Sequence, residues 1–170
     1  MTIALDDLNT CSEAEFVDAL GAVFEHSPWV AEAVSGERPF ASIEALHAAM
    51  VVAIDRAGRE PQLALIKAHP DLAGKAALAG ELTAESTSEQ KGAGLDRLSS
   101  DEFTRFHALN DAYKARFGFP FILAVRGHDK QSILASFEAR LNHAPEEEMT
   151  EALAQIARIG AFRLNDLIEA

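Results

Sequence analysis

Residues 145–168 read PEEEMTEALAQIARIGAFRLNDLI, and the spacing of their apolar side chains decides the fold class. Pro145 suits the first position of a helix, and Glu146, Glu147 and Glu148 fill a first turn that favours carboxylates. With Ile156 as the zero of a helical wheel at about 100° per residue, Ile159 falls near about −60°, Gly160 near +40° and Leu167 near +20°. The run is therefore an amphipathic helix from Pro145 to about Ile168. Arg163 falls near about −20° on the same wheel, inside the apolar stripe, while Arg158 points to the opposite side. A buried guanidinium costs several kcal/mol unless an anion meets it. That anion is either an internal carboxylate or the carboxylate of a ligand held in bidentate geometry. Gly160, one turn away, leaves room for a ligand or for close packing.

The same periodicity recurs upstream. Ser12-Glu13-Ala14-Glu15 has the form of a capping box, followed by Phe16, Leu20, Val23 and Phe24 at helical steps. Ser42 caps a helix carrying Ile43, Leu46, Met50 and Ile54, and Gly58 stops it. Pro61 suits the first turn of the next helix, which must break before Pro70. Ser99 to Glu102 starts another, with Phe103, Phe106, Asn110, Tyr113 and Phe117 in step and Gly118 at its end. A further helix covers Lys130 to Leu141. Residues 119–125, from Phe119 to Val125, are apolar, carry Pro120 and lack helical period, so they are expected as irregular buried backbone with no strand to pair with. The expectation is an all-α fold, residues 1–170 forming a single compact domain of about seven or eight helices.

Composition narrows the function classes. A chain of 170 residues fits one domain, and 48% hydrophobic with 25% charged residues is a globular composition. The net charge of −12 and the absence of a Lys/Arg run argue against nucleic acid. An anionic ligand then needs a local positive group. The apolar runs are too short to cross a bilayer, so no membrane partner is expected. Cys11 is the only cysteine, which rules out an intrachain disulfide and a thiolate metal cluster and suits a reducing cytoplasm. The N-terminus does not resemble a secretory signal, and Ile168-Glu169-Ala170 is not a Ser-Lys-Leu-type peroxisomal address. A cytoplasmic location is expected.

Two further features concentrate reactive groups. Of the histidines at 26, 47, 69, 107, 128 and 143, no two lie three or four residues apart, so no helical metal pair exists and no metal is expected. His69 has the most constrained setting, at a helix end beside Pro70 in His69-Pro70-Asp71-Leu72-Ala73-Gly74-Lys75. A rigid neighbour fixes the direction of an imidazole, as acid–base work requires, although a lone histidine near a helix break is more often a capping or surface residue. Thr83 to Gln90 crowds hydroxyl, carboxyl and amide groups into one region. Ser86 and Glu89 have capping-box spacing there, and Glu89 and Gln90 can face a ligand.

In this order the blocks His69-Pro70-Asp71-Leu72, Ser86-Thr87-Ser88-Glu89-Gln90, Phe117-Gly118-Phe119-Pro120-Phe121-Ile122 and Arg163-Leu164-x-Asp166-Leu167 resemble the 2-oxo-4-hydroxy-4-carboxy-5-ureidoimidazoline (OHCU) decarboxylase family. Weaker matches are Leu109-Asn110-x-x-Tyr113 and Lys130-x-x-Ile133-Leu134-x-x-Phe137-x-x-Arg140-Leu141. The resemblance runs from about Phe16 to Leu167. It implies an all-helical, commonly homodimeric enzyme that uses no cofactor. His69 and Glu89 take the catalytic positions. Pro70, Ser86, Thr87, Ser88, Gln90 and Arg163 take substrate-binding positions, and Phe121, Ile122, Leu123, Ala124 and Val125 approach the ligand through backbone groups.

The implied reaction converts an anionic ureidoimidazoline into (S)-allantoin and CO2, the last step of urate oxidation in purine catabolism. The ring C=N beside the carboxylated carbon accepts the electrons left by CO2. His69, whose side-chain type titrates near about 6.5, can return a proton to one face. Two rivals stand beside this reading. A non-catalytic helical adaptor predicts an exposed Arg163, and a ureide-processing hydrolase with the same His/Glu/Arg set predicts a positioned water and no CO2.

Overall fold

The computed structural model describes residues 1–74 and 80–170; Lys75, which closes the run opened by His69, lies outside the described residues. The all-α class holds. The described helices are α1 (Leu5–Thr10), α2 (Glu13–Leu20), α3 (Trp29–Val34), α4 (Ile43–Ala57), α5 (Arg59–Ala68), α6 (Ala84–Gly92), α7 (Ser100–Phe117), α8 (Lys130–Arg140) and α9 (Pro145–Leu167). These exceed the expected seven or eight because α1 and α3 are six residues each, too short for an amphipathic period to register. Chain contacts group the molecule into two units, Met1–Ala68 with Ala157–Ala170, and His69–Ile156.

In the first unit α4 is the core element. Ile43, Leu46, Met50 and Ile54 recur at three- and four-residue steps and are all buried, Leu46 and Met50 completely. α3 packs against α4 through a face that includes Val30, Ala31 and Val34. Burying each valine there is worth about 1.5–3 kcal/mol. Ser42 caps α4 by accepting the Ala45 N–H, and α2 begins with the expected Ser12–Glu15 capping box. α2 is shorter than its apolar spacing suggests. It stops at Leu20, where Gly21, a poor helix former, closes it, and Val23 and Phe24 reach the core from an irregular turn.

α9 ends at Leu167 and not at Ile168, because Ile168–Glu169 leaves the helix and pairs in parallel with Ile3–Ala4. This two-stranded ribbon has no counterpart in the sequence reading: two residues cannot display a period of two. Arg163, Ile159 and Gly160 are buried and Arg158 is exposed, as the wheel requires. Gly160 serves close packing, since a Cβ there would stand 2.6 Å from the Phe24 ring.

The second unit contains α6, α7, α8 and the first part of α9. Ser99 and Glu102 form the capping box of α7, and Asp129 caps α8. Residues 119–125 are irregular and buried throughout, as expected. Phe121 stacks on Phe137 with centroids 3.8 Å apart and meets Tyr113 edge-on at 5.3 Å. Among the described residues no helix is long and apolar enough to cross a membrane.

Candidate active site

α5 ends at Ala68, and the chain turns immediately at His69, which is 8% exposed. Pro70 cannot supply an N–H to continue the helix. The turn that follows is tight. Ala73 sits at φ 54°, and a Cβ on Gly74 would stand 2.7 Å from the Asp71 Cβ. Such a backbone persists only where its surroundings hold it. Gln90 of α6 does so at both ends of its amide: Oε1 accepts the Ala73 N–H at 2.9 Å, and Nε2 donates to the Asp71 carbonyl at 3.2 Å. Asn110 of α7 donates to the Leu72 carbonyl at 2.8 Å, and Lys114 pairs with Asp71 at 2.6 Å. Three consecutive residues after Pro70 are thus fixed from two helices.

α6 begins earlier than the Ser86–Glu89 spacing suggests. Its N-cap is Thr83, whose hydroxyl accepts the Ser86 N–H at 3.2 Å and whose carbonyl accepts the Thr87 N–H at 2.9 Å. The Ser86–Glu89 capping box is therefore a misreading: Thr83 is an equally competent cap three residues upstream. Ser86 and Gln90 share a buried face one turn apart, Glu89 is half-buried, and Thr87 and Ser88 are exposed. A cavity of about 470 Å³ adjoins this helix, its lining including Ala73, Thr87, Gln90, Leu95 and Phe103. That lining includes neither His69, Glu89 nor residues 121–125.

The apolar segment is held by polar groups. Arg140 donates from Nη1 to the Ile122 carbonyl at 2.6 Å, and Gln155 accepts the Ala124 N–H at 3.0 Å. Arg140 in turn donates from Nε to Glu148 at 2.9 Å, and Tyr113 donates to the same carboxylate oxygen at 2.5 Å. His143 lies 2.9 Å from the other oxygen of Glu148. Glu148 is wholly buried, and the Arg140 guanidinium stands 4.4 Å over the Phe121 ring. Burial, followed by the Glu148 carboxylate, raises the Tyr113 phenol far above its ordinary value, so it remains a donor. Sequence reasoning missed this network, although signals were present. Arg140 continues the Ile133, Leu134, Phe137 stripe, and Glu148 falls near about −80° on the wheel of the last helix, beside Ile159.

Arg163 belongs to the first unit and is 6% exposed. It donates from Nη2 to Glu25 at 2.9 Å and from Nη1 to the Val23 carbonyl at 3.2 Å. Of the two anions the sequence allowed, the structure contains the internal one. Glu25 is 2% exposed and follows the irregular turn after α2. This burial also removes the exposed Arg163 that an adaptor requires.

A small helical protein with a rigidly held histidine turn and a polar-clamped apolar segment is the class that these features define. The OHCU decarboxylase family model matches residues 9–165. The 2-oxo-4-hydroxy-4-carboxy-5-ureidoimidazoline decarboxylase of Haloferax volcanii is 41% identical over 162 residues, 95% of this chain and 94% of its own length. The uric acid degradation bifunctional protein of Bacillus subtilis is 45% identical over 164 residues, 96% of this chain and 32% of that protein. Among solved structures, an (S)-allantoin synthase superposes with a TM-score of 0.79 at 34% identity, over 98% of this chain and 54% of its own. The chain belongs to the OHCU decarboxylase family.

Proposed function

We propose that this protein is a carboxy-lyase that converts OHCU into (S)-allantoin and CO2 in urate degradation. The observation that carries the reading is Gln90 bonded to both Asp71 and Ala73. It brings together the two sequence blocks that the family resemblance marks as reactive, within a match that spans nearly the whole chain.

The substrate supplies its own electron sink. The bond between the ring carbon and its carboxylate breaks, CO2 departs, and the electron pair moves into the adjacent C=N, leaving charge on the ring nitrogen. The carbon that carried the carboxylate keeps its hydroxyl as an enol. His69 then delivers a proton to the neighbouring ureido-bearing carbon from one face while the enol O–H proton leaves to form the ring carbonyl, which makes a single enantiomer. Glu89 orients or polarises the imidazole. Holding donor and acceptor in one geometry is the larger share of the work, because a solvated ring loses that alignment. Pro70 packs against the ring, and the side chains of Ser86 to Ser88 and Gln90 bind ureido and carbonyl groups. Ile122 C=O, Ala124 N–H and Val125 C=O already have partners within their unit. The ligand's backbone contacts along Phe121 to Val125 therefore fall to the groups between them, such as the Leu123 amide. Arg163 anchors the substrate carboxylate, with Glu25 fixing the guanidinium's direction.

The same reading assigns residues 1–170 to one working domain, a homodimeric assembly and a cytoplasmic location, with no cofactor. The direct mutational test is His69→Asn. Turnover of freshly prepared OHCU should fall to the uncatalysed rate while the far-ultraviolet circular dichroism and melting temperature stay near wild type. Near-normal, stereospecific CO2 release by a folded His69→Asn protein would overturn the assignment.

A further inference from the structure

Asn110 and Tyr113 stand one turn apart on α7, so they share a face of that helix. Both are buried, at 3% and 0% exposure. Asn110 reaches the turn after His69, donating to the Leu72 carbonyl at 2.8 Å. Tyr113 reaches the apolar segment twice. Its ring meets Phe121 edge-on at 5.3 Å, and its hydroxyl binds Glu148, which binds the Arg140 that holds the Ile122 carbonyl. Neither of these bonds lies within α7, whose cap is the Ser99–Glu102 box. A leucine or phenylalanine would fill the same volume without leaving buried polar atoms to satisfy. Asn110 in fact leaves one unsatisfied: among the described residues its Oδ1 is buried without a hydrogen-bond partner, as is Nη2 of Arg140. Tolerating such atoms costs stability, and the compensation is that two irregular stretches are held in register from one rigid element.

We propose that Asn110 and Tyr113 are positioning residues: α7 uses them to set the His69 turn and the 121–125 segment independently, one polar side chain for each. The proposal rests on the site assignment above and adds a division of labour. Asn110 governs the geometry of proton delivery and therefore kcat. Tyr113, through Glu148 and Arg140, governs the backbone that receives the ring and therefore KM.

The experiment compares Asn110→Ala and Tyr113→Phe with wild type by site-resolved amide exchange and by steady-state kinetics on OHCU. The reporter amides are Ala73, bonded to Gln90, and Ala124, bonded to Gln155. Asn110→Ala should speed exchange at Ala73 by about tenfold, the scale of one lost hydrogen bond, and leave Ala124 unchanged. Tyr113→Phe keeps every ring contact and should do the reverse. In kinetics Asn110→Ala should lower kcat about tenfold with KM nearly constant, and Tyr113→Phe should raise KM with kcat nearly constant. Asn110→Ser replaces the alanine variant if that fails to fold and should act in the same direction. Equal acceleration of both amides in both variants, or no change in either, overturns the proposal. So does a fall in kcat alone that tracks the lost folded fraction. If wild type itself releases no CO2, the functional assignment fails, and the exchange pattern still decides whether α7 sets the two stretches separately.

Discussion

Arg163 stands out in the sequence because a guanidinium at the centre of an apolar stripe must have an anion. Its partner does not stand out. Glu25 is 138 residues away in the chain, in an irregular turn where no period orients a side chain. Helical spacing tells which side chains go inside; it does not tell which distant group meets them. Removing the charge from one member of a buried pair leaves the other uncompensated, at a cost of about 3–5 kcal/mol. Glu25→Gln should therefore lower the stability of the first unit by about that amount, read as a shift in the urea midpoint. A midpoint within error of wild type would mean that the pair contributes nothing net. The other residues of the candidate site divide in the same way. The helix break at His69 was legible because Pro70 cannot continue the helix. The bonds from Gln90 and Asn110 to that turn, at separations of 17 to 19 and 38 residues, were not.

Helices were legible where a cap and a period coincide. Ser12, Ser42 and Ser99 all cap as expected, and Gly58 and Gly118 close the helices before them. α6 is the instructive exception: it is polar along its length, so no apolar period chooses between Thr83 and Ser86 as its start. The Ser99–Glu102 box makes a prediction at this scale. The Ser99 backbone N–H, then Lys130, hold the Glu102 carboxyl below its ordinary value of 4.5. A carboxylate whose folded value is depressed adds stability in full above its unfolded value, and that stability is lost as pH falls through the folded one. Wild type should therefore lose melting temperature faster than Glu102→Gln as pH drops below about 4.5. Parallel curves would show that the box does not couple to protonation.

For the whole molecule, the fold class followed from helical periods repeated through the chain. What escaped is small and irregular: two one-and-a-half-turn helices, and a ribbon joining Ile3–Ala4 to Ile168–Glu169. The irregular segments of the candidate site are held by side chains from neighbouring helices and not by their own sequence, so their conformation could not be read locally. Function sits at this scale as well, since decarboxylation with control of one face requires the two site segments to be held together. The measurement that tests this most directly follows freshly generated OHCU with wild-type protein, recording CO2 release and the optical activity of the product. One CO2 per substrate consumed, with (S)-allantoin in large excess over its mirror image, is the predicted result. Consumption without CO2, or a racemic product formed at the uncatalysed rate, would contradict it.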